Sequence, residues 1–542
     1  MKEHYVIGID CGSLSARAVV ARVSDGQLLA CAQASYPHGI VTGRLPNGTP
    51  LPEGFVLTMA EDYLAVLPRI VAQACAAAGI TPEKIIGIGV DATSCTVVPC
   101  TAEGIPLCLL EPYQKEPHAH IKLWKHHCVQ PQAERIAAAA RQRQEPFLER
   151  FGGEVSCEWM LPKVLQIREE APALFQKTAL YLDLCDFLTF RMTGRLTRCA
   201  NSVGFKGLWS PGQGDLSAEF LDLLAPDFGR DYTQKVLSGP VVMHGRCCGH
   251  LTVSAARWLG LGEGTAVSSG IMDGHASLIA LGLKNAGDLG LIIGTSNAIP
   301  FLADHFAPVK GLCGTVENGL VEGLWACTAG QIATGDMLDW FVQQSLPPAY
   351  HEEAKRLGIS PHELLSQKAA ASHPQENRLT VLDWWNGNRS ILCNQQLTGA
   401  MVGLTLHTKP EEIYCAMLQG IACGTRVIID QCRGAGLEIR TVTACGGIPG
   451  KNPFFMQQYA NILAMPVRTV TISDSSALGS AICAAAAAGV ERGGYDRLGA
   501  AMDRMHIRET ADYFPQKEYT AQYDAIYRRY RRLYHTLGSW HP

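Results

Sequence analysis

Two carboxylates and a set of glycine–hydroxyl turns carry the clearest chemical signals in this chain. Asp10 lies in the stretch Tyr5–Arg22, where the apolar runs Tyr5–Ile9 and Ala18–Ala21 flank a turn containing Gly12, Ser13 and Ser15. A glycine lets backbone approach an anion, and successive N–H groups in a turn can cradle phosphate. A carboxylate at the end of such a strand suits a hard, partly hydrated cation such as Mg²⁺. An ordinary first hairpin with a polar turn would carry the same residue types, so this stretch alone leaves both readings open. The second carboxylate, Asp273, sits in Gly270-Ile-Met-Asp273-Gly274-His275, between a short strand and the start of a helix. A negative charge is stabilised at that position.

The opening pattern returns about 280 residues further on as Gly294-Thr295-Ser296, again between two apolar runs. One such hairpin is weak evidence. Two facing each other would form a nucleotide clamp, and the spacing predicts two similar α/β domains. Other elements would have to place these turns. Lys84–Val90 reads as a buried strand with Asp91-Ala-Thr93-Ser94-Cys95-Thr96 at its C-terminal end, where open α/β sheets bind ligands. Gly87, Gly89 and Ala92 spell GxGxxA, but the glycines lie inside the strand and no helix follows, so no Rossmann dinucleotide site is expected. Helices are expected over 62–78, 133–142, 158–168, 171–177, 183–193, 332–343, 410–432 and 454–463, with a charged tyrosine-rich helix lying on the surface over 515–539. Residues 199–209, including Lys206, read as a polar loop. Val442–Gly447 reads as a strand running into a Gly-Gly turn.

Composition narrows the function classes. At 542 residues the chain is too long for one hydrophobic core, so two domains are the default. A formal charge of -4 gives no reason to expect nucleic acid or an anionic membrane as partner. No apolar run approaches a bilayer span, the longest being the alanine-rich 481–490. No signal peptide is evident, so a cytoplasmic location is expected. The 20 cysteines include no CxxC pair and are expected to be reduced. His118, His120, His126 and His127 match no metal-ligand spacing and read as surface histidines, one of them a possible substrate contact.

Taken in order, Leu123-Trp-Lys-His-His127, Phe151-Gly-Gly with Cys157-Glu-Trp159, Leu382-Asp-Trp-Trp-Asn-Gly387, Thr408–Ile413, Ala444-Cys-Gly-Gly447 with Lys451-Asn452, and Ala477-Leu-Gly479 resemble the FGGY carbohydrate kinases. They are most similar to the branch that phosphorylates ribulose. The resemblance covers nearly the whole chain. It implies an α/β fold of two RNase-H-like domains of the actin and hexokinase type, residues 1–282 and 283–542, with ATP in the cleft between them. It also implies roles. Gly12, Ser13 and Arg17 would meet phosphates from one side and Gly294, Thr295, Ser296 and Gln331 from the other. Gly446, Gly447 and Asn452 would border the adenosine, and Asp10 would place Mg²⁺. Asp273 would be the general base, with Ser94, Cys95, Trp124, Lys206 and Thr328 near the sugar. In the ribulose branch a glutamate facing the sugar precedes Ala-Gly-Gln. Here that residue is Thr328, which leaves L-ribulose, D-ribulose and related pentuloses or pentitols open. The alternatives are another kinase of the family, acting on xylulose, ribitol or erythritol, and a catalytically inactive sugar-binding regulator. A homodimer fits the resemblance, although no stretch reads as an interface.

Overall fold

The computed structural model describes residues 3–371, 377–470 and 474–539. Its first sheet contains β1 (Tyr5–Cys11), β2 (Ser15–Arg22), β3 (Leu28–Ser35), β4 (Ile85–Ala92), β5 (Cys247–His250), β6 (Ala266–Ser268) and β7 (Ile271–Met272). Its spatial order is β5-β6-β4-β1-β2-β3, with β7 beside β4. The second contains β8 (Asp288–Ile293), β9 (Asn297–Ala303), β10 (Gly314–Glu317), β11 (Trp325–Gln331), β12 (Thr441–Cys445), β13 (Val467–Val470) and β14 (Thr510–Tyr513). Its order is β10-β11-β9-β8-β12-β13-β14. The two share one plan. An antiparallel trio, β3-β2-β1 or β11-β9-β8, continues into a parallel pair, β4-β6 or β12-β13. The repeat read from the two hairpins is therefore a repeat of whole sheets.

Central parallel strands are covered on both faces and read as continuous apolar runs. In β1 and β4 nearly every residue is buried. What covers them is unexpected. The helices used below are α1 (Met160–Glu170), α2 (Ala200–Lys206), α3 (Asp273–Ala280), α4 (Pro410–Gly434), α5 (Pro453–Leu463), α6 (Ser475–Ala488) and α7 (Thr520–Gly538). Helix α6 lies in sequence between β13 and β14 of the second sheet, yet it packs on β1, β4 and α3 of the first. The approach is backbone to backbone. A methyl group on Gly8 would stand 1.8 Å from the Ala477 carbonyl oxygen, and one on Gly89 2.1 Å from that of Ser480. From the helix side, a methyl on Gly479 would meet the Ala276 carbonyl oxygen at 1.8 Å. Gly87 and Gly89 are thus packing glycines, which explains why they lie inside a strand.

Two other expectations change. Residues 200–206 form α2 rather than a loop. Its polar residues pair inside the protein: Ser202 Oγ donates to Asp183 at 2.9 Å and Asn201 Oδ1 accepts from the Met272 N–H at 3.0 Å. The tail helix α7 packs on the surface as expected, burying Tyr523, Tyr527, Tyr530 and Tyr534 on one face, and the Tyr530 hydroxyl donates to Asp383 at 2.6 Å. His118, His120 and His126 are buried rather than on the surface, and desolvation lowers the basicity of each, His118 to a pKa of about 3. Helix α4, at 25 residues, is long and apolar enough to cross a membrane, but 83% of its most apolar stretch is buried as the core helix of the second lobe.

Because the Ala477 carbonyl cannot move without shifting α6, Gly8→Ala is expected to cost about 3 kcal/mol, the upper end of ordinary overpacking. Denaturant unfolding checks this. A midpoint equal to that of the parent would mean that the α6 contact is looser than described.

Candidate active site

The first sheet places its carboxylates by register. Asp10 on β1 is paired with Asp91 on β4, and Ile271 of β7 lies beside Asp91, so that Asp273 emerges two residues later as the first residue of α3. Asp10, Asp91 and Asp273 thus stand at the C-terminal edge of three neighbouring strands. Burial lifts Asp273 to a pKa of about 6, and the nearby Asp10 adds to the effect. The Asp273 carboxylate accepts the Gly274 N–H at 2.7 Å. A carboxylate poised near neutrality is suited to take a proton in a transition state.

Asp91 was not among the residues expected at the site. It is fully buried, and desolvation followed by Asp10 pushes it well above the usual carboxylate range. Ser480 of α6 donates to its Oδ2 at 2.6 Å, while its Oδ1 has no partner as an anion. Burial also raises Asp10, against the lowering effects of its hydrogen bond with Asp91 and of Arg17. Arg17, on the facing position of β2, stands 3.7 Å from Asp10 and 3.9 Å from Asp474. Asp10 and Arg17 thus place an anion and a cation side by side at this edge.

The turns are built to leave room. Gly12 is pinned by its N–H to the Ser15 carbonyl at 3.0 Å. Gly294 has nothing near the place of a Cβ, and Thr295 and Ser296 beside it are exposed. The carbonyl groups of Gly294 and Thr295 accept the Thr334 hydroxyl, at 2.9 and 3.2 Å, which ties the turn to the helix that follows. Gly446 has φ 110°, and a methyl there would lie 2.4 Å from the Ile293 carbonyl oxygen. Only glycine allows β8 and the turn after β12 to touch in this way, and Gly447 next to it is open. One residue assigned to the nucleotide sits elsewhere, and the side chain of a second is engaged within the protein. Gln331 is in the core: its Nε2 donates to Asp383 and Ile421, and its Oε1 accepts from Asn297 and Thr425. With its amide committed to four partners it is not available to a nucleotide. Asn452 caps α5 through Phe455 N–H and donates to Ser366, so its side chain is also engaged. Both look polar and mobile in sequence but are fixed by neighbours far along the chain.

On the sugar side, Trp124 donates its indole N–H to Ser13 at 3.0 Å and so joins the expected sugar wall to the phosphate turn. Ser94 is half-buried. Cys95 is buried with φ 57°, a conformation that costs a non-glycine residue energy and is held by its surroundings. Its N–H donates to Asp183 at 3.0 Å, and its carbonyl accepts the fully buried Lys163 ammonium at 2.7 Å. Lys163 also donates to the Leu123 carbonyl at 2.9 Å, so one buried cation fixes the loops that carry Cys95 and Trp124. Cys95 is therefore a wall rather than a polar contact. Lys206, at the end of α2, lies 3.9 Å from Glu158. Thr328 on β11 has a buried hydroxyl without a partner among the described residues. Asp91, Asp183 and Lys163 were missed because each acts on a backbone or side chain from a distant segment.

Residues 5–280 match the N-terminal domain, and residues 289–488 the C-terminal domain, of the FGGY family of carbohydrate kinases. The chain belongs to that family. It is 39% identical over 539 residues to a ribulokinase of Geobacillus thermodenitrificans, covering 99% of this chain and 95% of that one. It is 40% identical, over 99% and 96%, to a ribulokinase of Halalkalibacterium halodurans. Among solved structures, the xylulose kinase of Rhodospirillum rubrum superposes with a TM-score of 0.80 at 23% identity, over 98% of this chain and 99% of that one. The gluconate kinase of Lactobacillus acidophilus also gives 0.80, at 17% identity, over 99% of each chain. The chain is a carbohydrate kinase, with the two-lobed α/β fold of that family.

Asp273→Asn is expected to lower kcat by about 10³-fold or more. Because the folded carboxyl is raised to about 6, its ionisation opposes folding by an amount that grows between about pH 4 and 6 and is full above that range. The variant should therefore be more stable than the parent at pH 7, by at most about 3 kcal/mol, and equal to it below pH 4. In the parent, kcat should fall on the acid side of about pH 6. Thermal unfolding and pH–rate profiles test both points, and near-parental kcat in the variant would remove Asp273 from the chemistry.

Proposed function

We propose that this kinase transfers the γ-phosphoryl group of ATP to a pentulose, with ribulose giving ribulose 5-phosphate. The observation that carries the reading is the position of Asp273. Its carboxyl, with a pKa of about 6, shares one sheet edge with Asp10 and the Gly12 turn. The full-length similarity to proteins named ribulokinase supports the choice of sugar.

In this mechanism Trp124, Ser94 and the Cys95 wall bound the sugar, and Lys206 binds its oxygens. Asp273 accepts the proton of the terminal hydroxyl as that oxygen attacks phosphorus. Gly12 and Ser13 from one lobe, and Gly294, Thr295 and Ser296 from the other, hold phosphate oxygens, with Arg17 balancing charge and Gly446 and Gly447 bordering the nucleoside. Asp10 would hold Mg²⁺, which neutralises phosphate charge when bound. Little covalent work is left to the protein, because phosphoryl transfer is mostly positioning and charge stabilisation. We take residues 1–282 and 283–542 as the two lobes, the second lending α6 back to the first. The reading extends to a cytoplasmic location. It also extends to a homodimer, for which exposed Val402, Leu404 and Leu406 offer apolar surface.

A coupled ADP-release assay over L-ribulose, D-ribulose, D-xylulose, ribitol and erythritol tests the proposal. A ketopentose should have the highest kcat/KM, and Thr328→Glu should move the ranking toward L-ribulose by about tenfold, the scale of a single hydrogen bond to a charged group. No turnover with any ketopentose would refute it.

A further inference from the structure

Three sequence motifs contribute residues that have no part in the mechanism above: His127 of Leu123-Trp-Lys-His-His127, Glu158 of Cys157-Glu-Trp159, and Arg389 just after Leu382–Gly387. In the structure they meet at one carboxylate. Glu158, just before α1, is only 16% exposed. Its Oε1 accepts from Arg389 Nη2 at 3.1 Å and lies 3.8 Å from His127 Nε2, while its Oε2 is 3.9 Å from Lys206 Nζ. Arg389 belongs to the second lobe. Its neighbour Ser390 accepts the Gly330 N–H at 2.8 Å, which fastens this loop to β11, the strand of Thr328. Lys206 belongs to the first lobe. Burial works against the charge of Glu158, but Lys206 and then Arg389 hold it below the usual carboxylate range. Partial desolvation lowers the basicity of His127, against the opposing effect of Glu158. Two cations from different lobes therefore share one anion.

We propose that Glu158 is a positioning residue that divides its oxygens between the lobes, Oε2 holding Lys206 toward the acceptor and Oε1 receiving Arg389, so that acceptor binding and lobe approach are coupled. The inference rests on the reading that Lys206 faces the acceptor. An isolated exposed ion pair would contribute almost nothing. Here the anion is mostly buried and shared, so removing its charge leaves Lys206 and Arg389 facing each other uncompensated. That repulsion turns Lys206 away from the acceptor and opposes the approach of β11.

The test is a kinetic cycle, using the best acceptor that the parent enzyme turns over. Glu158→Gln should raise the acceptor KM about tenfold and leave the ATP KM within twofold and the melting temperature within a few degrees. Arg389→Gln should act in the same direction, and Arg389→Lys should restore the acceptor KM to within threefold of the parent. The double variant Glu158→Gln/Arg389→Gln should be no worse than the weaker single variant. An unchanged acceptor KM in Glu158→Gln, or effects that multiply in the double variant, overturns the proposal. If Glu158→Gln does not fold, the Arg389→Gln and Arg389→Lys pair decides alone, and equal acceptor KM values in those two overturn it. Lys206→Met separates this failure from failure of the underlying reading. A raised acceptor KM there with an unchanged one in Glu158→Gln rejects the inference alone, whereas an unchanged KM in Lys206→Met rejects the reading.

Discussion

The structure depends first on the contact between the backbone of α6 and that of the first sheet. No side chain separates Gly8 from Ala477 or Gly89 from Ser480. A helix can lie that close to a strand only where both surfaces are small, and such contacts tolerate almost no added volume. The consequence is functional. Helix α6 comes from the C-terminal half of the chain, yet it backs the strands that hold Asp10 and Asp91, packs on α3, and delivers Ser480 to Asp91. The carboxylate edge of the first sheet is therefore set by a segment that lies in sequence between two strands of the second sheet.

That placement matters because the site works by electrostatics at short range. Three carboxylates on adjacent strands cannot all be charged cheaply in a partly desolvated place. The protein answers with different surroundings for each. Asp91 is sealed under α6 and pushed well above the usual carboxylate range, Asp10 is paired with Arg17, and Asp273 is left poised near neutrality. Neighbouring carboxylates with separated proton affinities are a recurring way to assign charge and base roles at one pH. The sugar side follows the same logic with cations: buried Lys163 holds carbonyl groups, while Lys206 and Arg389 share Glu158.

Much of this was legible from sequence. Short-range chemistry showed itself directly: the two glycine–hydroxyl turns, Asp273 at a helix start, and the Gly-Gly turn at 446–447. The repeat of the turn was enough to anticipate two sheets of one plan. What stayed hidden depends on partners hundreds of residues away. Gln331 resembles a ligand contact until Asn297, Asp383, Ile421 and Thr425 occupy it. The polar run 199–209 resembles a loop until Asp183 and the Met272 N–H pair with it. The histidines at 118–126 resemble a surface cluster because composition does not report burial. Gly87 and Gly89 resemble a nucleotide motif because a glycine needed for packing and one needed for phosphate look alike.

The central claim is that the first lobe holds an acceptor hydroxyl against Asp273 while both lobes hold the donor phosphates. Product regiochemistry measures this most directly. Phosphorus-31 and carbon-13 NMR of the product from ribulose and ATP should show one phosphomonoester, with phosphorus coupling at C5 and C4. Coupling at C1 and C2, or release of inorganic phosphate without a sugar ester, would contradict it.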